Sequence, residues 1–272
     1  MSCKKPTIRR LSGKDGKIYG ELKYNREDFR RFGFHSHPTF SLSAIDAGAI
    51  EVHFHNASSK TLRPGAVAFY PPNRVHRTAL SSSRPLGYYN LHLDPAYCLQ
   101  RWREQEPDAK DFNAFWKMPV LEARDFYEHT LLLCRLILEN EPPKRIETLL
   151  GGLLDDLFDR VAVIRHDGKS TDPLTDSVAR FLDERLDDPP SLEELSRHFG
   201  YHPDVLNRRF KQRFGLSLRA YLIDRRLHRA KALLLEGEYS VAQVAAETGF
   251  YDQSHFVKAF KKAYSLPPGE YR

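Results

Sequence analysis

The sequence predicts a multi-domain α+β protein with an N-terminal β-barrel, a helical segment and a C-terminal all-α domain. Three observations predict this. Alternating strand patterns extend to about residue 115, helical periodicity begins near residue 122, and a helix–glycine–helix pattern occurs twice in the last hundred residues. The chain has 272 residues, 41% of them apolar, so it is long enough to form two separate cores.

Strand patterns fill the N-terminal part of the chain. Residues 50–56 (IEVHFHN) alternate apolar and polar side chains, as a half-buried strand does. Residues 62–76 contain a Pro-Gly turn, a short apolar strand and a double-proline break, and residues 87–95 form another strand that ends at a turn. Short antiparallel strands with such turns predict a small barrel or sandwich.

Two strongly apolar helices follow, separated by a double proline. In the second helix, an apolar stripe at spacings of three and four consists of Leu150, Leu154, Leu157, Val161 and Ile164. This stripe either covers the barrel or forms the seam of a dimer, since coiled coils use the same spacing. Two apolar helices are more than a small barrel needs, so we favour the seam and predict a homodimer through residues 131–164.

Composition argues against several classes of protein. The three cysteines, Cys3, Cys98 and Cys134, are scattered without a CxxC pair, which argues against a disulfide framework or a cysteine zinc site. The basic N-terminus is not followed by an apolar run, and no apolar stretch is long enough to cross a membrane. We therefore expect a cytoplasmic protein without a signal peptide or a membrane partner.

A polar segment at residues 165–173 (RHDGKSTDP) predicts an interdomain linker, because it combines charged residues with Gly and Pro. We place the N-terminal domain at residues 1–165, the linker at 166–173 and the C-terminal domain at 174–272.

The C-terminal domain contains an internal repeat. The segment SLEELSRHFGYHPDVLNRRFKQRF starts at Ser191, and the similar segment SVAQVAAETGFYDQSHFVKAFKKAY starts at Ser240. Each begins with a serine suited to cap a helix and reaches a glycine nine residues later, at Gly200 and Gly249. The second copy has one extra residue in its turn. The pattern predicts two helix-turn-helix units, at about residues 192–213 and 241–264.

The connection between the two units is a single predicted helix, residues 218–236, ended by Gly237. It would span roughly 28 Å, and one turn of B-DNA is about 34 Å, so two reading helices could reach successive major-groove segments. Residues 197–231 carry ten Lys or Arg against two acids, a local charge of +8. Such a concentration is expected of a surface that faces phosphates.

These segments, with the linking RLHRAKALLLEGEYSVAQVAAETGF and the closing SLPPGEYR, resemble the AraC/XylS family of transcription regulators over about the last hundred residues. The resemblance implies two helix-turn-helix units that bind direct half-sites in double-stranded DNA. It also implies a ligand-responsive regulator that is not an enzyme, and it favours an activator that works with RNA polymerase.

On the first reading helix, the inward positions are apolar, which leaves the outward side for DNA. Arg208 is suited to guanine and Asn207 to adenine. Asp204 either accepts from a cytosine amino group or caps the helix N-terminus, and we favour the cap. Lys211 is expected to bind phosphate.

On the second reading helix, similarity to the family places the base-contacting positions. They are Gln253, Ser254, His255, Val257 and Lys258. Val257 offers only an apolar contact, such as one to a thymine methyl group. Lys261 and Lys262 are expected to bind phosphate.

The N-terminal domain contains a separate candidate site. His35 and His37 lie two residues apart on one face of a strand, and His76 follows a double proline, in an order that resembles the cupin-like arm of the same family. The resemblance implies a pocket for a small-molecule effector, and the candidate pocket residues are His35, His37, Tyr70, His76 and His92.

Three histidines in a barrel could also bind zinc or iron. Metal-binding cupins carry a glutamate a few residues after the HxH pair, and residues 38–41 are Pro, Thr, Phe and Ser here. We therefore predict no metal cofactor, and keep a metal at His35, His37 and His76 as the alternative. A metal-dependent cupin enzyme with an appended helical domain is the corresponding alternative function.

Overall fold

Contacts divide the chain into two units, Met1–Asp167 and Gly168–Arg272. The computed structural model describes residues 5–28, 32–55, 57–81, 85–107, 119–162 and 172–271. Most of the predicted linker therefore lies outside the described residues, as does Cys3.

The first unit contains two antiparallel sheets, which confirms the predicted β-rich domain. One sheet has the strand order β1-β2-β9-β4-β7-β10, and the other has the order β3-β8-β5-β6. The strands are β1 (Thr7–Ser12), β2 (Ile18–Asp28), β3 (Phe32–His35), β4 (Phe40–Ala47), β5 (Ile50–Phe54), β6 (Lys60–Leu62), β7 (Val67–Tyr70), β8 (His76–Leu80), β9 (Leu86–Leu93) and β10 (Val120–Leu121).

The two faces of the larger sheet have different chemistry. Leu91 on β9 is paired with Leu22 on β2 and with Leu42 on β4, and all three are buried on the outer face. The next row, which faces the second sheet, is polar: His92 is paired with Ser41, and both are buried. Successive residues of a strand point to opposite faces, so one register fixes both an apolar face and a polar interior.

Three helices cover the outer face: α1 (Pro95–Gln105), α2 (Arg124–Leu138) and α3 (Pro143–Ala162). Helix α1 lies in a region where we expected only strands, so that expectation was wrong. The start of α1 nevertheless carries two common helix-start signals. Asp94 caps it, accepting from the Ala96 amide at 2.6 Å, and Pro95 occupies its first position. Trp102 of α1 then stacks on Phe158 of α3 at 5.6 Å.

The apolar stripe of α3 packs inside the unit, which corrects the prediction that it forms the dimer seam. Leu150, Leu154 and Leu157 are completely buried, in the same core cluster as the outer face of the larger sheet. A side chain buried within its own unit has no surface left for a second copy. The structure does not describe the side chain of Val161, and Ile164 lies outside the described residues.

The second unit is all-α, as predicted. Its helices are α4 (Pro173–Asp183), α5 (Leu192–Phe199), α6 (Pro203–Phe214), α7 (Leu218–Glu236), α8 (Val241–Glu247) and α9 (Gln253–Tyr264), followed by a 3-10 turn at Pro268–Glu270. Helix α7 has the predicted bounds, because Ser217 caps its start and Gly237, at φ 80°, ends it.

Candidate nucleic-acid interface and effector pocket

Helix α6 begins at a turn that presents its first residues to solvent. Gly200 has φ 72°, and the His202 ring caps the helix by accepting from the Asp204 amide at 3.3 Å. The expectation that Asp204 caps the helix is therefore wrong. Asp204 lies in the first turn, where a negative charge is favourable, and its exposed carboxylate is 3.7 Å from His202.

Asn207 has a structural contact instead of the predicted outward position. Its Oδ1 accepts from the Leu218 amide at 3.1 Å, at the N-terminus of α7, and its side chain is only half-exposed. An unpaired amide in the first turn of a helix needs such an acceptor. The side chain that we expected to pair with adenine therefore holds α6 to the start of α7.

Arg208 and Lys211 form the exposed face of α6. Both side chains are exposed, whereas Leu206 and Phe210 on the opposite side are buried. Arg208 and Lys211 are three residues apart, so they lie next to each other on one side of the helix. Of the four α6 residues predicted to face DNA, the exposed ones are therefore Asp204, Arg208 and Lys211.

The positive charge of residues 197–231 is partly neutralised within the unit. Arg209 binds the Asp172 carboxylate through two nitrogens, at 2.8 and 3.3 Å, and Arg213 is 3.4 Å from Asp176. Further along, Arg225 binds Asp183 through two nitrogens at 3.0 and 3.1 Å, and Arg226 donates to the Leu186 carbonyl at 2.7 Å. The local +8 therefore overstated the charge available to DNA, since these four arginines are bound to acceptors within the second unit.

Helix α9 exposes a larger share of its predicted DNA-contacting residues than α6 does. Asp252 caps it by accepting from the His255 amide at 2.6 Å. Phe256 and Phe260 are completely buried, and Val257 is half-buried. The exposed residues are Gln253, Ser254, His255, Lys258, Lys261 and Lys262. All the predicted residues of this helix except Val257 are therefore open to solvent.

In the first unit, the structure brings the three predicted histidines together. Ring centroids are 4.9 Å apart for His35 and His37, 4.4 Å for His35 and His76, and 5.2 Å for His37 and His76. One nitrogen from each ring lies within 4.8 Å of the others.

The other two predicted pocket residues adjoin this cluster. The ring of Tyr70 is 4.3 Å from that of His76, and the ring of His92 is 5.1 Å from that of His37. Ser41 is paired with both Tyr70 and His92 and lies 2.8 Å from Nδ1 of His92. The sheet register thus gathers all five candidates at one end of the interior.

Backbone contacts fix the tautomer of two of the rings. Nδ1 of His76 donates to the Arg74 carbonyl at 3.0 Å, and Nδ1 of His35 donates to the Gly33 carbonyl at 2.8 Å. Burial, with a smaller effect from His35, lowers the pKa of His76 well below its usual value. His76 is therefore neutral, with its lone pair on Nε2.

Two interior polar atoms were missed by the sequence analysis. Thr78 Oγ1 and Asn90 Oδ1 are buried and have no hydrogen-bond partner among the residues that the structure describes. Thr78 follows His76 by two residues and Asn90 precedes His92 by two, so each shares the inward face of its strand. The spacing of two residues from a candidate histidine could have identified Thr78 and Asn90 from the sequence. Unpaired buried acceptors are costly unless a ligand supplies donors.

A buried cation adjoins the same end of the interior. Arg74 is 1% exposed, and its guanidinium lies 4.4 Å from the centroid of the Phe54 ring. Burial lowers the pKa of Arg74 to about 10, which leaves it charged at neutral pH. Its charge is one of the effects that lower the pKa of His76, and it also opposes the binding of a metal cation nearby.

Comparison with known proteins identifies the families of both domains. Residues 17–154 match the family described as "AraC-like ligand binding domain", and residues 195–272 match "Helix-turn-helix domain". The first match alone covers just over half of the chain. The chain belongs to the AraC family of transcription regulators.

Similar proteins include both full-length and shorter AraC-family regulators. The arabinose operon regulatory protein of Salmonella typhimurium is 26% identical over 226 residues, which cover 80% of this chain and 78% of that protein. The multiple antibiotic resistance protein MarA of Escherichia coli is 31% identical over 105 residues, which cover 38% of this chain and 83% of MarA. This AraC-family chain is therefore a DNA-binding transcription regulator with a ligand-binding domain, and the predicted function is confirmed.

The fold is also similar to that of a protein whose structure has been solved. The crystal structure of unsaturated fatty acid bound ToxT from Vibrio cholerae matches with a TM-score of 0.57 at 15% identity, covering 100% of this chain and 96% of that one. Among the described residues of the AraC-family chain, no helix has the length and apolar character that crossing a membrane requires.

Proposed function

We propose that the chain is an effector-responsive activator that reads two DNA half-sites with α6 and α9. One observation carries this proposal: both helices bury their aromatic side and expose their polar side. Phe210, Phe256 and Phe260 are completely buried, whereas Arg208 and Lys258 are exposed. Activation implies RNA polymerase as a further partner and a cytoplasmic location, in line with the family resemblance.

The exposed residues divide into base readers and phosphate binders. Arg208 is placed to bind guanine through both of its terminal nitrogens, and Gln253 is suited to adenine. Ser254, His255, Val257 and Lys258 complete the reading side of α9. Lys211, Lys261 and Lys262 bind phosphate and set the register of the protein on DNA. Asp204 is suited to a cytosine amino group.

The effector site is the interior next to the histidine cluster. The neutral Nε2 of His76, Thr78 Oγ1 and Asn90 Oδ1 all accept hydrogen bonds. A small organic molecule with several hydrogen-bond donors would satisfy them, and the buried charge of Arg74 favours a neutral or anionic molecule. The lining residues of this site are His35, His37, Tyr70, His76 and His92.

A transition metal at His35, His37 and His76 is the second candidate occupant. Three imidazoles with one nitrogen each within 4.8 Å fit zinc or iron, and backbone carbonyls orient two of the rings through Nδ1. The resident charge of Arg74 and the absence of a carboxylate from this group of described residues disfavour it. Bound there, a metal would supply an effector signal; DNA-binding regulators of this family are not enzymes.

A thermal-shift screen of the full chain tests both occupants. We expect a donor-rich metabolite to stabilise the chain in the presence of EDTA, by about 2.7 kcal/mol at a hundredfold excess over its dissociation constant. His37→Ala should abolish the shift, and the matched surface variant His53→Ala should retain it. A shift with Zn²⁺ or Fe²⁺ that depends on His37 would favour the metal. No stabilisation by either class would contradict the effector proposal.

We propose that a second copy covers the groove between α2 and α3. The groove has a volume of about 500 Å³ and is lined by Leu132, Leu136, Pro142 and Leu149 among others. Leu132 is 47% exposed, so a second copy packed in the groove would remove this apolar side chain from water. The proposed dimer interface therefore lies on the outer side of α2 and α3, and not on the buried apolar stripe of α3.

Sedimentation equilibrium tests this homodimer. Leu132→Glu is expected to weaken dimerisation at least tenfold, because it places a charge in an apolar contact. Phe34→Glu is the matched control, since Phe34 is similarly exposed on β3. Equal dimer affinity in Leu132→Glu and the wild type would rule out this face.

A further inference from the structure

Tyr251 is the most exposed large hydrophobic residue in the described part of the chain. Its side chain is 95% exposed, whereas the others in this group (Ile18, Phe34, Leu132 and Tyr201) are 37–47% exposed. It lies immediately before Asp252, the residue that caps α9. An aromatic ring held entirely in water contributes nothing to the core, so its position needs another explanation.

The extra residue in the second helix-turn-helix explains how Tyr251 comes to be outside. In the first helix-turn-helix, one aromatic residue, Tyr201, separates Gly200 from the cap residue His202, and the guanidinium of Arg209 lies 5.6 Å from the Tyr201 ring. In the second helix-turn-helix, two aromatic residues, Phe250 and Tyr251, follow Gly249. Phe250 takes the inward place, 6% exposed and 5.1 Å from the ring of Phe256. Tyr251 is therefore displaced outward.

Its surroundings indicate the chemistry of its partner. Tyr251 lies at the N-terminal end of α9, the end of a recognition helix that enters the major groove. Its neighbours along the chain, Gln253, Ser254 and His255, are all exposed and polar. A tyrosine at the rim of the groove can donate its hydroxyl proton to a phosphate oxygen while its ring packs on the adjacent sugar.

We propose that Tyr251 is a further DNA-contacting residue, which positions α9 by binding the sugar–phosphate backbone beside the groove. The inference rests on the proposed reading role of α9. Val257 is half-buried and His255 discriminates weakly between bases, so α9 needs contacts that fix its register. The first helix-turn-helix has no equivalent, because Tyr201 is partly covered by Arg209 of the same motif.

Equilibrium binding of the full chain tests this, with two duplexes: one selected by the wild type from a random-sequence pool, and one unrelated. Tyr251→Ala should weaken binding to both by about three- to tenfold, because a backbone contact carries no sequence information. Phe34→Ala removes an exposed aromatic from the first unit and should bind both duplexes like the wild type.

Phosphate-ethylation interference locates the contact. Ethylation of one phosphate near the second half-site should interfere with the wild type and cease to interfere with Tyr251→Phe. The proposal would be overturned if Tyr251→Ala bound DNA as tightly as the wild type, or if its affinity fell only for the selected duplex. It would also be overturned if ethylation interfered with Tyr251→Phe as it does with the wild type. Gln253→Ala, a variant of a proposed base reader on α9 itself, separates the two levels: if it weakens binding while Tyr251→Ala does not, only this inference fails, and if neither does, the proposed reading role of α9 fails as well.

Discussion

Replacing Gly249 with alanine is expected to destabilise the second unit by about 3 kcal/mol, from a left-handed backbone and a steric clash together. Gly249 has φ 72°, a conformation that residues with a Cβ adopt at a cost. A Cβ there would lie 2.7 Å from the Leu186 carbonyl oxygen and 2.8 Å from that of Asp187. Both are backbone atoms, so relief requires the loop between α4 and α5 to move.

Gly200 provides a matched control for this substitution. It has the same φ of 72° at the equivalent turn of the first helix-turn-helix, but no atom of another part of the chain lies within 4 Å of a Cβ built on it. Gly200→Ala should therefore cost only about 1 kcal/mol, the contribution of the backbone conformation alone.

Circular dichroism and tryptophan fluorescence together measure the difference. Both tryptophans, Trp102 and Trp116, belong to the first unit, so their fluorescence follows that unit only. In Gly249→Ala, the unfolding midpoint measured by the helical signal at 222 nm should fall, while the midpoint measured by fluorescence stays close to the wild-type value. Equal destabilisation by the two alanine variants would show that the loop at Leu186 moves away from the new methyl group at no cost in free energy.

Arg208→Ala is expected to weaken binding to the preferred DNA site by about 1–3 kcal/mol and to relax the preference at one base pair. Arg208 is the exposed arginine of α6, on the side opposite the buried Leu206 and Phe210. Its guanidinium has no ion-pair partner among the described residues, so it is available to bind guanine. Selection from a random-sequence pool, followed by titration, measures both effects.

Arg209→Ala is the control, since it removes the same charge from the adjacent position. Arg209 is bound to Asp172, with 37% and 23% of the two side chains exposed, so its loss should cost at most about 1 kcal/mol of stability. The preferred sequence should stay the same. An unchanged footprint for Arg208→Ala would mean that α6 presents another side to DNA.

Several elements could be predicted from the sequence because local signals define them. The bounds of α7 follow from a serine cap and a terminal glycine, and strand β5 follows from its alternation. The two turns at Gly200 and Gly249 were visible as a repeat. Helix α1 was missed although Asp94 and Pro95 form an ordinary helix start, because the surrounding strand patterns outweighed a short local signal.

The candidate sites were predictable in part. The five pocket candidates do converge, and the resemblance to a known family pointed to three of them, His35, His37 and His76. Asn207 shows the limit of reasoning from one helix: it is outward relative to Leu206, yet the start of α7 lies beside it and binds its oxygen. The same holds for Arg209 and Arg213, whose carboxylate partners are at the start of α4 (Asp172, just before it, and Asp176, in its first turn), far away in the sequence.

The sequence by itself determined the bounds of the clearly marked elements, such as α7 and β5, and that a helix-turn-helix occurs twice, because caps, turns and periodicity act over a few residues. Only the tertiary structure decided what each surface contacts. It buried Leu150, Leu154 and Leu157 against the barrel, bound four arginines to internal acceptors and left Tyr251 in solvent. These outcomes depend on which elements pack together, and an apolar stripe or a charged residue has the same pattern whichever partner it meets.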